Sequence, residues 1–143
     1  PLRREEDRQA VVAALADGTV DAIASDHQPR DADDKRLPFA QAEAGGAGLA
    51  TLLGVTLAQV HNGALPLAAA LALLTCRPAA LLGIEAGRLA VGAPADLCLI
   101  ALERAWQVKA GQLPGKAQNS PFDGRALEGR VIATFKAGRR VFG

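Results

Sequence analysis

Asp26 and His27 stand together in the stretch Ile23-Ala24-Ser25-Asp26-His27-Gln28-Pro29-Arg30. A run of small and apolar residues leads straight into an acid and an imidazole, and Pro29 ends it. A carboxylate at such a point can take or give a proton during a reaction. In a (β/α) barrel, polar side chains at the C-terminal end of a strand are where site residues sit. Asp26 is therefore the candidate catalytic residue. The plainer reading of an Asp after a strand is a cap on a loop or helix. A lone His beside it reads first as a hydrogen-bond partner. His61 precedes Asn62-Gly63 at the end of a helical stretch, where it suits the helix C-terminus. Two His in the whole chain cannot build a multi-histidine metal centre. The sequence has no G-x-S-x-G, phosphate loop or dinucleotide fingerprint. Gly45-Gly46-Ala47-Gly48 reads as a turn.

The elements that must position Asp26 can be read in order. Arg4 to Ala16 is expected to be a helix, with Glu5, Glu6 and Asp7 in its first turn and Gly18 as its stop. Val11, Val12 and Leu15 form its apolar stripe. Val20 to Ser25 reads as a short strand, so helix, turn and strand make one αβ unit. From His27 to Gly48 the chain reads as loop, with a charged run at Asp31, Asp33, Asp34, Lys35 and Arg36. A loop that long is uncommon in a compact domain unless it is functional. It is either a substrate-contacting lid or a solvated insertion. Leu49 to His61 and Leu67 to Thr75 read as helices, the second apolar enough to be buried on most sides. Pro78 starts a short helix through Leu82, closed by Gly83.

After Gly83 the pattern changes. Turns at Gly87-Arg88-Leu89 and Gly92 to Ala95 lead into a strand at Asp96 to Ile100, and Trp106 to Lys109 reads as another strand. Lys109 to Asp123 is loop. Arg130 to Lys136 alternates and turns through Ala137-Gly138-Arg139 into Val141-Phe142 as a hairpin. The chain divides near Ile84 into an α/β front and an all-β tail.

Composition excludes several classes. Half of the 143 residues are apolar and 22% are charged, a globular balance. The formal net charge is +1 and the basic residues are scattered, so nucleic acid is not an expected partner. The longest apolar run, Leu65 to Thr75, falls short of the ~18–20 residues of a membrane span. No membrane partner is expected. Cys76 and Cys98 make no metal spacing, and both are expected as buried free thiols in a reduced cytosol. From the start at Pro1, with no Met, a fragment or a processed piece is expected.

Taken together, the motifs resemble the C-terminal third of a dihydroorotase of the amidohydrolase superfamily. Pro1-Leu2-Arg3 with Glu5-Glu6-Asp7-Arg8 resembles P-P-L-R-x-x-x-D-R. Val20 to His27 resembles the strand end D-x-I-A-T-D-H. Pro38-Phe39 and the following glycines resemble the P-F…G stretch, and Arg77 to Gly83 resembles N-P-A-x-x-L-G. Gly87-Arg88-Leu89 with Gly92 to Leu97 resembles G-x-L-x-x-G-x-x-A-D-L, a signature widespread in the superfamily. The resemblance covers nearly the whole chain.

It implies an α/β fold class: a C-terminal fragment of a TIM-barrel amidohydrolase plus part of a small β-sandwich. Residues 1–84 would be the last helix–strand units of the barrel with the helices that follow, and 85–143 the sandwich part. A whole barrel takes about 250 residues, so the chain cannot close one. A complementary N-terminal segment or a second copy is the expected structural partner. Zinc is implied for the full-length family and none for this fragment alone, since the His and carboxylated-Lys ligands belong to earlier strands. Asp26 is implied as the acid that contacts the metal and moves a proton to or from the attacking water. Arg30 and His27 are the implied substrate-binding residues. Active members read D-H-A-P-H, where the final His helps bind substrate. Here the run is Asp26-His27-Gln28-Pro29-Arg30. That departure resembles the non-catalytic dihydroorotase-like subunits that partner aspartate transcarbamoylase in pyrimidine biosynthesis, and it places this reading first. The alternatives are part of an active cytoplasmic zinc dihydroorotase, interconverting N-carbamoyl-L-aspartate and dihydroorotate, or another cyclic-amide hydrolase such as a hydantoinase or allantoinase.

Overall fold

The computed structural model describes residues 4–143, so the Pro1-Leu2-Arg3 motif lies outside the described residues. Helix α1 (Glu5–Asp17) opens them. Its acidic first turn faces the positive end of the helix dipole, and Arg8 grips Glu5 one turn earlier. Gly18 ends it at φ 85°, a left-handed cap that glycine adopts without a Cβ clash. Of the expected stripe, Leu15 carries the packing. It meets the cluster Leu65, Ala70 and Leu73, joined by Ile23 and Val60, while Val11 stays exposed.

Residues 20–25, expected as a strand, form none. A strand needs a partner ladder, and no described segment runs alongside this one over its length. Ile23 instead donates its N–H to the Leu73 carbonyl at 3.0 Å, and a single parallel bridge joins His27 to Gly46. The expected loop at 27–48 holds a short helix, α2 (Ala32–Arg36). Asp31 caps it by accepting the Asp33 N–H at 3.1 Å, so the charged run is a capped helix.

A 3₁₀ turn at Leu49–Thr51 feeds α3 (Leu52–His61), then α4 (Leu67–Leu74) and α5 (Cys76–Leu81) follow. These match the expected helices to within a few residues. Helix α4 buries Ala70 and Leu73 completely, yet most of its other positions are half-buried, so its burial is one-sided. Pro78 sits in the first turn of α5 rather than at its first position, where its missing N–H still costs no helical bond.

The tail forms one antiparallel sheet in the order β1 (Leu97–Gln107), β2 (Ala126–Lys136), β3 (Arg139–Phe142). The two strands expected at 96–100 and 106–109 are one strand. Charged Glu103-Arg104 hid its continuity, and register shifts between Leu99 and Ile100 and between Ala101 and Ala105 carry it past them. Those shifts also break the alternation. Cys98 faces outward opposite Thr134, and Cys76 lies exposed on α5, so neither thiol is buried as expected. The β2–β3 hairpin turns on Ala137 and Gly138, both at positive φ (48° and 77°). That pair is the type I′ geometry that suits strand twist.

Helix α3 lies on β2. Leu57 packs over Gly129, and Gly54 lies against Leu127 and Trp106. The Trp106 indole N–H donates to the Gly129 carbonyl at 3.1 Å, and Arg130 stacks over the Trp106 ring. No helix among the described residues is long and apolar enough to cross a membrane.

Asp96 ties the start of β1 to the hairpin. Its carboxylate accepts the Ala137 N–H at 2.7 Å and pairs with Lys136. These partners, Lys136 first, hold its carboxyl below the usual value. A lowered folded pKa contributes stability above the ordinary carboxylate range and loses it as pH falls through the folded value. Amide exchange across residues 136–140 is expected to speed up selectively below about pH 4, while α4 stays protected. Uniform loosening of both would contradict this.

Candidate functional site

Asp26 follows this segment with φ 42°, in the left-handed region that a non-glycine residue occupies only under constraint. Three glycines supply the constraint. A Cβ on Gly48 would lie 2.8 Å from the Ser25 carbonyl oxygen, and one on Gly45 would lie 2.7 Å from Gln28 Cβ. Gly46 pairs with His27 and accepts the Gln28 N–H at 3.0 Å. The Gly45–Gly48 run is thus not a bare turn. It is the backbone against which the Asp26 segment is pressed.

The carboxylate of Asp26 is exposed, and Oδ1 accepts the Gln28 side-chain amide at 2.8 Å. His27 Nδ1 accepts the Leu49 N–H at 3.3 Å, which puts the proton of its neutral form on Nε2. Arg30 turns back on its own loop. Its Nε donates to the Ala44 carbonyl at 3.0 Å, and Nη2 lies 3.7 Å from the Glu43 carboxylate. Lys35 donates to the carbonyls of Glu43 and Gly45. His27 and Arg30 line an open groove of about 790 Å³ whose other charged members are Asp31, Lys35, Arg36 and Lys116. Arg30 and Arg36 pair with Glu43 and Asp33 of the same loop, which leaves Lys35 and Lys116 as the cations that suit an anionic occupant.

The expected site residues therefore lie on one loop, with His27 and Arg30 on the groove and Asp26 beside it. Sequence reading missed Asn119, which arrives on the loop between β1 and β2. Its Oδ1 accepts the Arg30 N–H at 3.2 Å, and Nδ2 donates to the carbonyls of Gln28 (3.4 Å) and Gly45 (3.3 Å). Nothing in the local spacing of Gln118-Asn119-Ser120-Pro121 signals a contact about ninety residues back. His61 closes α3 with Nδ1 3.7 Å from the Glu128 carboxylate, away from these residues in role.

A structural zinc takes four ligands and a catalytic one about three plus water. Among the described residues no three His, Cys, Asp or Glu side chains gather to hold a metal ion. Asp26 offers one oxygen donor, so these residues fit one corner of such a site and not the whole of it.

The amidohydrolase family model matches residues 2–141. The chain belongs to the amidohydrolase family. This amidohydrolase chain is 42% identical over 142 residues to the dihydroorotase of Wolbachia sp. subsp. Drosophila simulans (strain wRi), covering 99% of the chain and 32% of that protein. The dihydroorotase of Citrifermentans bemidjiense is 43% identical, with 99% and 34% covered. The chain spans about a third of the length of the curated relatives it matches. In structure it is similar to an L-hydantoinase (dihydropyrimidinase) from Arthrobacter aurescens, with TM-score 0.93 and 32% identity over 99% of the chain and 33% of that one. An inactive dihydroorotase-like domain of the Chaetomium thermophilum CAD-like multifunctional protein shares the fold at TM-score 0.70 and 21% identity, with 99% and 37% covered. The dihydroorotase resemblance read from the motifs thus holds over the whole chain. Its fold is that of an α/β amidohydrolase fragment with a small antiparallel sheet.

Proposed function

We propose that this amidohydrolase chain is the C-terminal part of a cytoplasmic dihydroorotase, completing a TIM barrel and β-sandwich with the rest of the protein. The observation that carries the reading is Asp26, an exposed carboxylate held at φ 42° beside a cation-lined groove. The names of relatives above 40% identity support it. The reaction joins water to the ring amide of dihydroorotate. A C–O bond forms, the ring C–N bond breaks, and the nitrogen gains a proton to give N-carbamoyl-L-aspartate. Asp26 takes the proton from the attacking water and delivers it to the leaving nitrogen. Arg30 keeps Nη1 for a substrate carboxylate, since its other nitrogens serve Ala44 and Glu43. His27 offers Nε2–H toward the same ligand. Zinc, with Asp26 as one oxygen donor and other ligands outside these residues, would supply Lewis-acid polarisation of the amide carbonyl.

One observation favours a second reading. The D-H-A-P-H pattern keeps a small residue where Gln28 stands, and here the Gln28 amide occupies Asp26 Oδ1. Together with Arg30 in the place of the final His, this suits a non-catalytic subunit that holds aspartate transcarbamoylase in an assembly. The full-length protein, purified with zinc, decides between them. Turnover of dihydroorotate is the expected result. A folded protein without turnover that co-elutes with the transcarbamoylase on gel filtration would overturn the enzyme reading in favour of the second. Turnover of hydantoins or allantoin instead would move the substrate within the cyclic amides.

A further inference from the structure

We propose that Asn119 is a positioning residue that holds the Asp26 segment in its left-handed conformation. The inference builds on the role given to Asp26 above. A carboxamide has one acceptor oxygen and two donor hydrogens, and Asn119 spends all of them on two segments that frame Asp26. Oδ1 takes the Arg30 N–H, and Nδ2 reaches the carbonyls of Gln28 and Gly45. Its own carbonyl accepts the Ala47 N–H at 3.1 Å. One residue thus fastens residues 28–30 to residues 45–47. Next to it, Pro121 closes over Gly46, where even a Cβ would come within 3.0 Å of the proline ring. A non-glycine residue in the left-handed region persists only where its surroundings over-determine it. Among the described residues the Asp26 side chain makes one hydrogen bond, to Gln28. The constraint on its backbone comes from the bridge to Gly46 and from this clamp.

The site is half-buried and shaped for an amide. Aspartate there would set an anion against two carbonyls, and alanine would leave the Gln28 carbonyl and the Arg30 N–H unpaired, with Lys35 alone still on the Gly45 carbonyl. Both variants keep the chain the same length and touch no core residue.

The test uses the full-length protein and its Asn119→Ala and Asn119→Asp variants. Hydrogen exchange followed by mass spectrometry is expected to speed up at least about tenfold in residues 26–30 and 45–48, with residues 126–136 unchanged. Steady-state kinetics on dihydroorotate are expected to show kcat lowered by about 10²-fold, the cost of a small misplacement of a reacting group, with KM moved by less than about threefold. Unchanged exchange in both segments would overturn the proposal, as would a uniform rise across the chain, which marks a general structural role. If Asn119→Ala does not fold, Asn119→Asp decides. If the wild-type protein has no turnover, the assignment of the reaction fails, and the exchange result alone still decides whether Asn119 holds this segment.

Discussion

Asp26→Asn in the full-length, zinc-loaded protein is expected to lower kcat on dihydroorotate by about 10²–10⁴-fold, the range that a positioned proton-transfer group contributes. Stability should move by no more than about 0.5 kcal/mol, because the side chain is exposed. The substitution is chosen for its geometry. Asparagine accepts the left-handed backbone that Asp26 shows at φ 42° better than most residues. Its side-chain oxygen can still receive the Gln28 amide that now donates to Oδ1. Only the negative charge and the proton-accepting capacity are lost. Stopped-time assays of ring opening, with a urea midpoint on the same preparations, separate the two effects. A variant as active as the parent would remove Asp26 from the chemistry and leave it as the cap that its position also allows.

The second large effect is on stability. Gly129→Val is expected to destabilise the protein by about 2–5 kcal/mol, the sum of overpacking and left-handed strain. Gly129 lies in β2 at φ 95°, a conformation that costs any residue with a Cβ. A Cβ there would fall 2.3 Å from Leu57 Cδ1. Leu57 projects from α3 onto the sheet and is 1% exposed, so any shift of its Cδ1 must find room inside a filled interface. Relief comes from a new Leu57 rotamer or from a lift of α3 off β2. Such a shift would also reach the site, since α3 continues the 3₁₀ turn at Leu49, whose N–H holds His27. A urea unfolding midpoint reads the loss, and Gly129→Ala should fall between the two. A loss under about 1 kcal/mol for valine would show that the helix seats on the sheet less tightly than the distances state.

The helices were legible because their signals are local. Glu5, Glu6 and Asp7 before Gly18, the apolar run after Leu67, and Asn62-Gly63 each act within one or two turns of chain. The hairpin at Ala137-Gly138 was legible for the same reason. The segment at 20–25 was misread for the opposite reason. Its composition is that of a strand, but a strand is completed by hydrogen bonds to a neighbour, and the described residues supply one bond from Ile23 to Leu73 and a bridge beyond it at His27. The thiols were misread because burial was inferred from neighbours in sequence. Two register shifts in β1 turned Cys98 outward instead.

At the stretch from Ile23 to Arg30, the sequence alone identified the family and singled out Asp26, since residue type and order are what a motif records. It also marked Arg30 as the departure from the active pattern. Tertiary structure alone decided what those side chains do. It showed Arg30 tied back to Ala44 and Glu43, Gln28 placed on the Asp26 carboxylate, and Asn119 brought in on the β1–β2 loop to fasten the segment. The physical reason is that a hydrogen bond depends on distance and direction in space. Residues about ninety positions apart acquire both only when the chain has folded.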